Sequence, residues 1–290
     1  MKKLLALLLT VLCLIASAAA EPGGPLYPHS PNANIVREFT SDTLVWSVGE
    51  RQIDKTRVLI TTVWMADPGR QIGKATADWE QNTMSTIEIA RREPKASLII
   101  NGSGYVTKTY KWIPENYPGD SPDYYNTPLG SVTVTDGEVF RCLEGVPYYG
   151  LTLNTDGLRL HIGEDPVEVL AQQPTQTWSF YEECPVIADH QSILDPDWKF
   201  TNTKALRTVI AKLDANNYLI LTVASRTGGL TMQEVVDFLL TEFDPEWAYN
   251  LDGGPSSALV YRSSANKLRT LWKNGQNNVD IMTFAELPEE

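Results

Sequence analysis

The sequence predicts an α+β fold: a mixed, largely antiparallel sheet with a few packed helices, in a single domain. Short segments rich in β-branched and apolar residues recur along the chain, several of them bounded by turn signals such as Asp136-Gly137 and Asn216-Asn217. Only two segments have a clear helical pattern, and strands do not alternate regularly with helices. A doubly wound parallel sheet requires that alternation, so strands joined mainly by turns are the better interpretation.

Six apolar segments are predicted strands. Val, Ile, Leu and Thr dominate them, and these residues favour a pleated, buried backbone. In chain order the predicted strands cover residues 57–64, 97–101, 131–135, 207–213, 218–224 and 258–261.

Two helices are predicted, one over roughly residues 83–92 and one that follows Thr231. Thr231 and Glu234 have the spacing of a capping box, in which hydroxyl and carboxylate satisfy opposite backbone donors. Val235, Val236 and Phe238 then begin a broad apolar face. We expect this helix to pack on a sheet.

Residues 1–20 have the pattern of a secretory signal peptide. Lys2 and Lys3 precede an apolar run too short to cross a bilayer, and small residues at 17–20 provide a cleavage site. Residues 21–34 are rich in Pro and Gly and are predicted to form a flexible lead-in to a domain over 35–290. We therefore expect an exported protein, either periplasmic or extracellular.

The chain is acidic, with 24 Lys and Arg against 36 Asp and Glu, a net charge of −12. Removal of the signal peptide takes away two lysines and makes the charge −14. Such a field repels nucleic acid and anionic membranes, which excludes a nucleic-acid-binding protein. No other apolar run approaches 18 residues, so no membrane span is expected after cleavage. The oligomeric state is left open.

The chain without its signal peptide keeps two cysteines, Cys142 and Cys184. In an oxidising compartment an even pair favours a disulfide over two buried thiols. A catalytic cysteine is the least favoured interpretation.

The most unusual stretch is YNLDGGPSS at residues 249–257. An apolar strand is predicted to end at Asn250 and Asp252, and Gly253 and Gly254 would let backbone amides approach a ligand. A plain Asp-Gly turn explains part of the stretch. It does not explain the whole polar string between two apolar runs, and both interpretations stay open at this point.

Other strand ends carry polar groups of the same kind. Asn101 and Gly102 follow an apolar strand, and the amide could hold a sugar hydroxyl or a phosphate oxygen, or simply cap a turn. Arg207 opens one predicted strand and Arg226 follows the next. An arginine can grip phosphate through two parallel hydrogen bonds, although a surface salt bridge is the default for either residue taken alone.

Familiar hydrolase signatures are missing from the sequence. The histidines, His29, His161 and His190, have neither zinc spacing nor a partnered motif. A Ser-His-Asp hydrolase is therefore disfavoured. The 8 Trp and 12 Tyr could line a sugar site, but aromatic residues are first of all core residues.

The order of four motifs resembles the phosphodiester glycosidase family. The motifs are INGSGY at 100–105, LRTVIAKLD at 206–214, SRTGGLTMQEVVDFL at 225–239 and AYNLDGGPSSALVY at 248–261. The NLDGG element with two serines after it is the most specific of them, and the likeness extends from about residue 57 onward. The chain departs from the usual family pattern at Ser103, Cys184, Ala224, Ser225 and Pro255.

The resemblance implies hydrolysis of a sugar-1-phosphodiester at the anomeric C–O bond, which gives free sugar and a phosphomonoester. It implies that Asp252 is the general base or nucleophile, or else a metal ligand, and that Arg207 and Arg226 clamp the phosphate. The implied substrate-binding residues are Asn101, Gly102, Asn250, Gly253, Gly254, Ser256 and Ser257.

Two alternatives belong to other classes. One is a phosphodiesterase that cuts the P–O bond of a glycan or teichoic-type phosphodiester, and the other is a polysaccharide-binding protein without catalysis. The sequence requires no cofactor. It has no dedicated metal motif, and a divalent metal is left open.

Overall fold

The computed structural model describes residues 32–79, 81–106, 125–180 and 182–288. These residues form 18 strands: β1 (Asn34–Thr40), β2 (Leu44–Ile53), β3 (Thr56–Met65), β4 (Ile72–Thr76), β5 (Ala96–Asn101), β6 (Val132–Thr135), β7 (Glu138–Cys142), β8 (Tyr148–Asn154), β9 (Gly157–Glu164), β10 (Gln176–Ser179), β11 (Pro185–Ala188), β12 (Gln191–Ser192), β13 (Thr208–Lys212), β14 (Asn217–Val223), β15 (Trp247–Asn250), β16 (Ala258–Arg262), β17 (Leu268–Lys273) and β18 (Asp280–Ala285). The same ranges contain four short α-helices, α1 (Pro68–Gln71), α2 (Thr86–Ala90), α3 (Pro166–Ala171) and α4 (Met232–Glu242), and a 3-10 helix over Gly254–Ser256.

The largely antiparallel arrangement is confirmed. The α+β class is corrected to a largely β fold, because the helices contribute less than we expected. Every pairing between the strands named above is antiparallel, so the mixed sheet that we expected is wrong. The longest helix of the described residues, α4, has 11 residues. The fold is therefore largely β, because hairpins and turns supply most connections that α/β folds make with helices.

Two large sheets form the body of the fold. One has eight strands in the order β1-β2-β3-β14-β13-β15-β11-β12, and the other has five in the order β17-β16-β5-β18-β4. A three-stranded sheet, β10-β8-β9, and the β6-β7 hairpin complete the described residues. The main core combines apolar side chains from both large sheets, the three-stranded sheet and α4, for example Ile60, Leu221, Ile100, Leu151 and Val236.

The five-stranded sheet is covered on both faces, which explains the continuous apolar run of β5. Leu98 and Ile100 belong to the main core, whereas Ile99 packs in a smaller cluster with Ile89 of α2. All six residues of β5 are buried. Successive side chains of a strand point to opposite faces, so a strand buried on both faces has no polar alternation.

The predicted elements occur close to where the sequence placed them. The six predicted strands correspond to β3, β5, β6, β13, β14 and β16, each with its bounds shifted by at most one residue. The capping box that begins α4 is confirmed: Thr231 Oγ1 accepts from Glu234 N at 3.1 Å, and Glu234 Oε2 accepts from Thr231 N at 2.8 Å. The helix expected over 83–92 is shorter, since α2 covers only Thr86–Ala90.

The signal peptide over 1–20 lies outside the described residues, as does most of the lead-in over 21–34. Both stay predictions, and so does a single domain over 35–290. No helix in the described ranges is long and apolar enough to cross a membrane.

Candidate active site

The candidate site lies at one edge of the eight-stranded sheet, next to the end of β5. β13 and β15 are antiparallel neighbours with Val209 opposite Asn250, so the start of β13 and the end of β15 reach the same edge. Arg207 stands directly before β13, and Asn250 closes β15. Asn101 is the last residue of β5 and reaches this edge from the other large sheet. Polar strand ends that are distant in sequence thus meet in space.

Asn101 joins the two large sheets beneath the site. Its Nδ2 donates to the backbone oxygen of Asp252 at 2.7 Å, and its Oδ1 accepts from Thr208 Oγ1 at 2.8 Å and from Ala258 N at 2.9 Å. The residue is fully buried. The amide therefore positions the Asp252 loop and does not reach the cavity described below.

Asp252 carries a carboxyl group with a strongly shifted pKa. Its backbone N–H donates to the Gly102 oxygen at 3.1 Å, and its Oδ1 accepts from Gly253 N at 2.8 Å. Burial raises the pKa of Asp252 to about 7, and the negative charge of Asp280 adds to the rise, while hydrogen bonds from Ser256 and Gly253 oppose it. A carboxyl group with this pKa can exchange a proton at neutral pH.

Gly253 and Gly254 let the loop after Asp252 pack on the segment before β13. A Cβ atom at Gly253 would lie 2.8 Å from the backbone oxygen of Leu206. Gly254 has φ +56°, in the left-handed region, and its N–H donates to the same oxygen at 2.9 Å. The two glycines therefore pack the loop after Asp252 against the backbone of Leu206 and Arg207.

Arg207 is a buried cation without a carboxylate partner. Its side chain donates from Nη2 to the backbone oxygens of Phe200 at 3.1 Å and Thr203 at 3.0 Å, and its Nε has no hydrogen-bond partner. The ion pairs of the described ranges do not include it. Burial lowers the pKa of Arg207 to about 10, so it stays charged at neutral pH. A desolvated charge of this kind favours an anionic ligand.

Asn250 presents a second group that lacks a partner. Its side chain is 2% exposed, its Nδ2 donates to Cys184 Sγ at 3.8 Å, and its Oδ1 has no hydrogen-bond partner. A buried amide oxygen without a donor is energetically costly. A ligand hydroxyl that donates to it would remove that cost.

Asp252, Arg207 and Asn250 line one cavity of about 480 Å³. This volume lies within the usual range for small-molecule sites. The described residues that line it are Tyr105, Phe180, Trp198, Phe200, Ala205, Arg207, Asn250, Asp252, Gly253, Gly254, Pro255, Ser256 and Gln276. Four aromatic side chains thus share the cavity with one cation and one carboxyl group.

The structure brings together some of the predicted site residues and separates others. Asp252, Arg207, Asn250, Gly253, Gly254 and Ser256 line the cavity. Asn101, Gly102 and Ser257 are buried and do not line it. Gly102 packs against Asp280, since a Cβ atom there would lie only 2.0 Å from the carboxylate. Arg226 is exposed and lies outside the described lining, so the structure does not bring it together with Arg207 in this cavity.

Seven of the described lining residues were not among the predicted site residues: Tyr105, Phe180, Trp198, Phe200, Ala205, Pro255 and Gln276. Tyr105 closes the INGSGY motif, and its place there was a usable signal. Its hydroxyl donates to the Asn277 oxygen at 2.6 Å and accepts from Gln276 Nε2 at 2.9 Å. Trp198 and Phe200 belong to an irregular segment between β12 and β13, and no local pattern distinguishes such aromatics from core residues.

The disulfide that the sequence favoured is wrong, because both cysteines are thiols in the structure. Cys142 ends β7 in the two-stranded sheet, whereas Cys184 directly precedes β11 in the eight-stranded sheet. Cys184 is fully buried, and its backbone oxygen accepts from Asn250 N at 2.8 Å. Its place is therefore in the wall behind Asn250.

Metal ligands do not cluster in the described part of the chain. No group of three or more His, Cys, Asp and Glu side chains could hold an ion there. Among the described residues that line the cavity, Asp252 is the one acidic side chain.

The fold and the site together define a largely β protein whose cavity combines a buried arginine with a carboxyl group of near-neutral pKa. The chain belongs to the phosphodiester glycosidase family, whose sequence model matches residues 94–283. A comparison with curated proteins by sequence finds no match.

Solved structures share this fold at low sequence identity. The zebrafish N-acetylglucosamine-1-phosphodiester alpha-N-acetylglucosaminidase catalytic domain, auto-inhibited by its pro-peptide, superposes with a TM-score of 0.64 and 16% identity over 88% of each chain. A Synechocystis protein described as hypothetical superposes with a TM-score of 0.53 and 14% identity, over 87% of this chain and 63% of its own. At these identities the likeness shows the fold.

Proposed function

We propose that the protein hydrolyses the glycosidic C–O bond of a sugar-1-phosphodiester and releases free sugar and a phosphomonoester. The observation that carries the proposal is that Arg207 and Asp252 line the same cavity, where each has the charge property that this reaction needs. Membership of the phosphodiester glycosidase family supports it. The proposed setting is the periplasm or the cell exterior, supported by the sequence pattern of residues 1–20.

The leaving group explains why one carboxyl group can serve. Ordinary glycosidases use two, because the leaving sugar oxygen needs a proton from a general acid. A phosphomonoester is a much weaker base than an alkoxide and departs as an anion. The site then needs a cation for the phosphate and a base for the attacking water.

Asp252 acts as the base in this proposal. Its ionised form takes a proton from water, the water oxygen bonds to the anomeric carbon, and the electron pair of the C–O bond moves to the phosphate oxygen. The pKa of about 7 makes the ionised form available near neutral pH and keeps it basic enough to accept the proton.

Arg207 stabilises the phosphate in this scheme. The guanidinium already donates to Phe200 and Thr203 through Nη2, so its orientation is fixed before the substrate arrives. Preorganised donors of this kind stabilise charge that develops on a departing oxygen. The Oδ1 of Asn250 would accept from a sugar hydroxyl, and Ser256 lies beside Asp252 in the same wall.

The test is incubation of the purified protein with a panel of sugar-1-phosphodiesters and nucleotide sugars in water enriched in ¹⁸O, analysed by mass spectrometry. We expect free sugar and an unlabelled phosphomonoester. The phosphate product is the better reporter, because an anomeric hydroxyl exchanges its oxygen with water. Asp252→Asn protein, purified in parallel, controls for contaminating hydrolases.

Two other outcomes of this experiment would support the two alternative functions. Label in the phosphate product would show P–O cleavage and a phosphodiesterase. Saturable saccharide binding without any product from a folded sample would indicate a binding protein without catalysis.

A further inference from the structure

We propose that Trp198 and Phe200 bind the aglycone, the group on the far side of the phosphate from the sugar, and that this group presents an apolar ring face to them. The inference rests on the proposed function, because it uses the positions assigned to Asp252 and Arg207. It makes Trp198 and Phe200 specificity-determining residues.

The Asp252 loop, Arg207 and the aromatic segment follow one another along the cavity wall. Gly253, next to Asp252, packs on the backbone of Leu206 and Arg207, since a Cβ atom there would lie 2.8 Å from Leu206 O and 3.7 Å from Arg207 Cα. The other end of the arginine side chain donates to the backbone oxygens of Phe200 and Thr203. The Arg207 side chain therefore runs from a Cα beside the Asp252 loop to a guanidinium at the segment that carries the two aromatic rings.

This order indicates where each part of a bound sugar-1-phosphodiester would lie in the cavity. With the anomeric carbon at Asp252 and the phosphate at Arg207, the group beyond the phosphate reaches Phe200 and Trp198. The ring of Phe200 already lies near the guanidinium, with its centroid 5.4 Å from Arg207 Cζ. A ligand held by Arg207 thus meets this ring directly.

The aromatic segment is ordered in advance. The rings of Trp198 and Phe200 pack edge to face, with centroids 5.4 Å apart and planes at 75°. Asp195 O accepts from Trp198 N at 3.2 Å and from Thr201 Oγ1 at 2.6 Å, which ties the segment together. Both rings are half-buried and line the cavity. Rings held in this way offer stacking area with little further loss of conformational entropy.

Of the described residues that line the cavity, Arg207 is the one cation and Asp252 the one carboxyl group, and both are assigned to the reaction. The C–H face of a pyranose, or another apolar ring, suits the remaining aromatic surface.

The test compares two diesters of one sugar-1-phosphate, one with a methyl aglycone and one with a hexopyranosyl aglycone. We expect Trp198→Ala to lower kcat/KM for the hexosyl diester about tenfold and to leave the methyl diester nearly unchanged. Trp198→Phe keeps an aromatic ring and should recover most of the loss. Phe140→Ala, at a 43% exposed ring outside the cavity lining, is the matched control.

Binding of the same two diesters to the Asp252→Asn protein, measured by calorimetry, gives a readout that needs no turnover. Trp198→Ala in that background should weaken only the hexosyl diester. An equal loss for both ligands, or no loss for either, would overturn the inference. If wild-type protein cleaves neither diester at the C–O bond, the proposed function fails, and the binding data still decide the role of Trp198.

Discussion

Asp252 lines the same cavity as the buried Arg207 and has a pKa of about 7, and replacement of its carboxyl group by an amide tests its proposed role as the base. We expect Asp252→Asn to lower turnover at least about 1,000-fold, because it removes the proposed base. It should not lower the Tm. In the wild type this carboxyl group has a higher pKa in the folded protein than in the unfolded chain. The free energy of unfolding of the wild type therefore falls as the pH rises from about 4 to 7, whereas the amide of Asp252→Asn does not ionise and avoids this loss.

The direction in which the stability difference changes with pH provides the control. The Tm of Asp252→Asn minus that of the wild type should rise as the pH goes from 4 to 7 and level off above 7. Thermal unfolding of both proteins at pH 4.5 and pH 8 measures it. Equal differences at the two pH values would contradict the raised pKa, and surviving turnover would remove Asp252 from the chemistry.

The same carboxyl group sets the pH dependence of the wild-type enzyme. Since the base must be ionised, kcat/KM for a sugar-1-phosphodiester should rise with pH and reach a plateau above about pH 7, with an apparent pKa of about 7. A profile that falls through this range would instead make Asp252 a general acid. Initial rates in buffers of constant ionic strength provide the measurement.

Arg207 is tested by a substitution that keeps its charge. Arg207→Lys loses the planar group that donates to Phe200 and Thr203, so the cation is no longer held toward the cavity. We expect kcat to fall roughly 100-fold or more. Arg226→Lys, at the exposed arginine, is the matched control and should keep full activity. An unaffected rate in Arg207→Lys would exclude the arginine from phosphate binding.

At the level of elements, Asn101 connects β5 to β13, β16 and the Asp252 loop through three hydrogen bonds. Asn101→Ala leaves Thr208 Oγ1 and Ala258 N without their acceptor, so we expect a loss of about 3 kcal/mol in the free energy of unfolding. Thr208→Val removes one of the three bonds and should cost less. Chemical denaturation measures both. Lost activity with unchanged stability would instead mean that Asn101 contacts the substrate.

The individual strands and helices of this fold were more predictable from the sequence than the pairing of its strands into sheets. β13, β14 and the capping box of α4 follow from local patterns, because periodicity and caps act within a few residues. The antiparallel pairing of β13 with β15 joins segments about 40 residues apart, and no local signal sets it. The motif order identified Asp252, Arg207 and Asn250, whereas the exposed Arg226 and the lining Trp198 depend on how the irregular segments fold back.

At the scale of the whole molecule, a buried ion pair holds the sheets together behind the site. Lys74 of β4 and Asp280 of β18 are 3.3 Å apart with fully buried side chains. Asp280 accepts from Ser103 N at 2.6 Å and Ser103 Oγ at 2.8 Å, and Lys74 donates to Thr177 O of β10 at 2.6 Å. The pair thus links the five-stranded sheet, the three-stranded sheet and the chain that leaves β5 toward the cavity.

Removal of one charge from this pair should destabilise the protein strongly, and removal of both should cost less than the two single losses added together. Lys74→Met leaves the Asp280 carboxylate buried without its cation, and Asp280→Asn leaves Lys74 buried between the rings of Trp79 and Trp178, so each single change should cost about 3–5 kcal/mol. The double variant should cost less than the sum, because no unpaired charge then stays inside. Denaturant unfolding of the wild type, the two single variants and the double variant measures this double-mutant cycle. Additive losses would show that the two charges act independently, and the sheets would then be held by their apolar core alone.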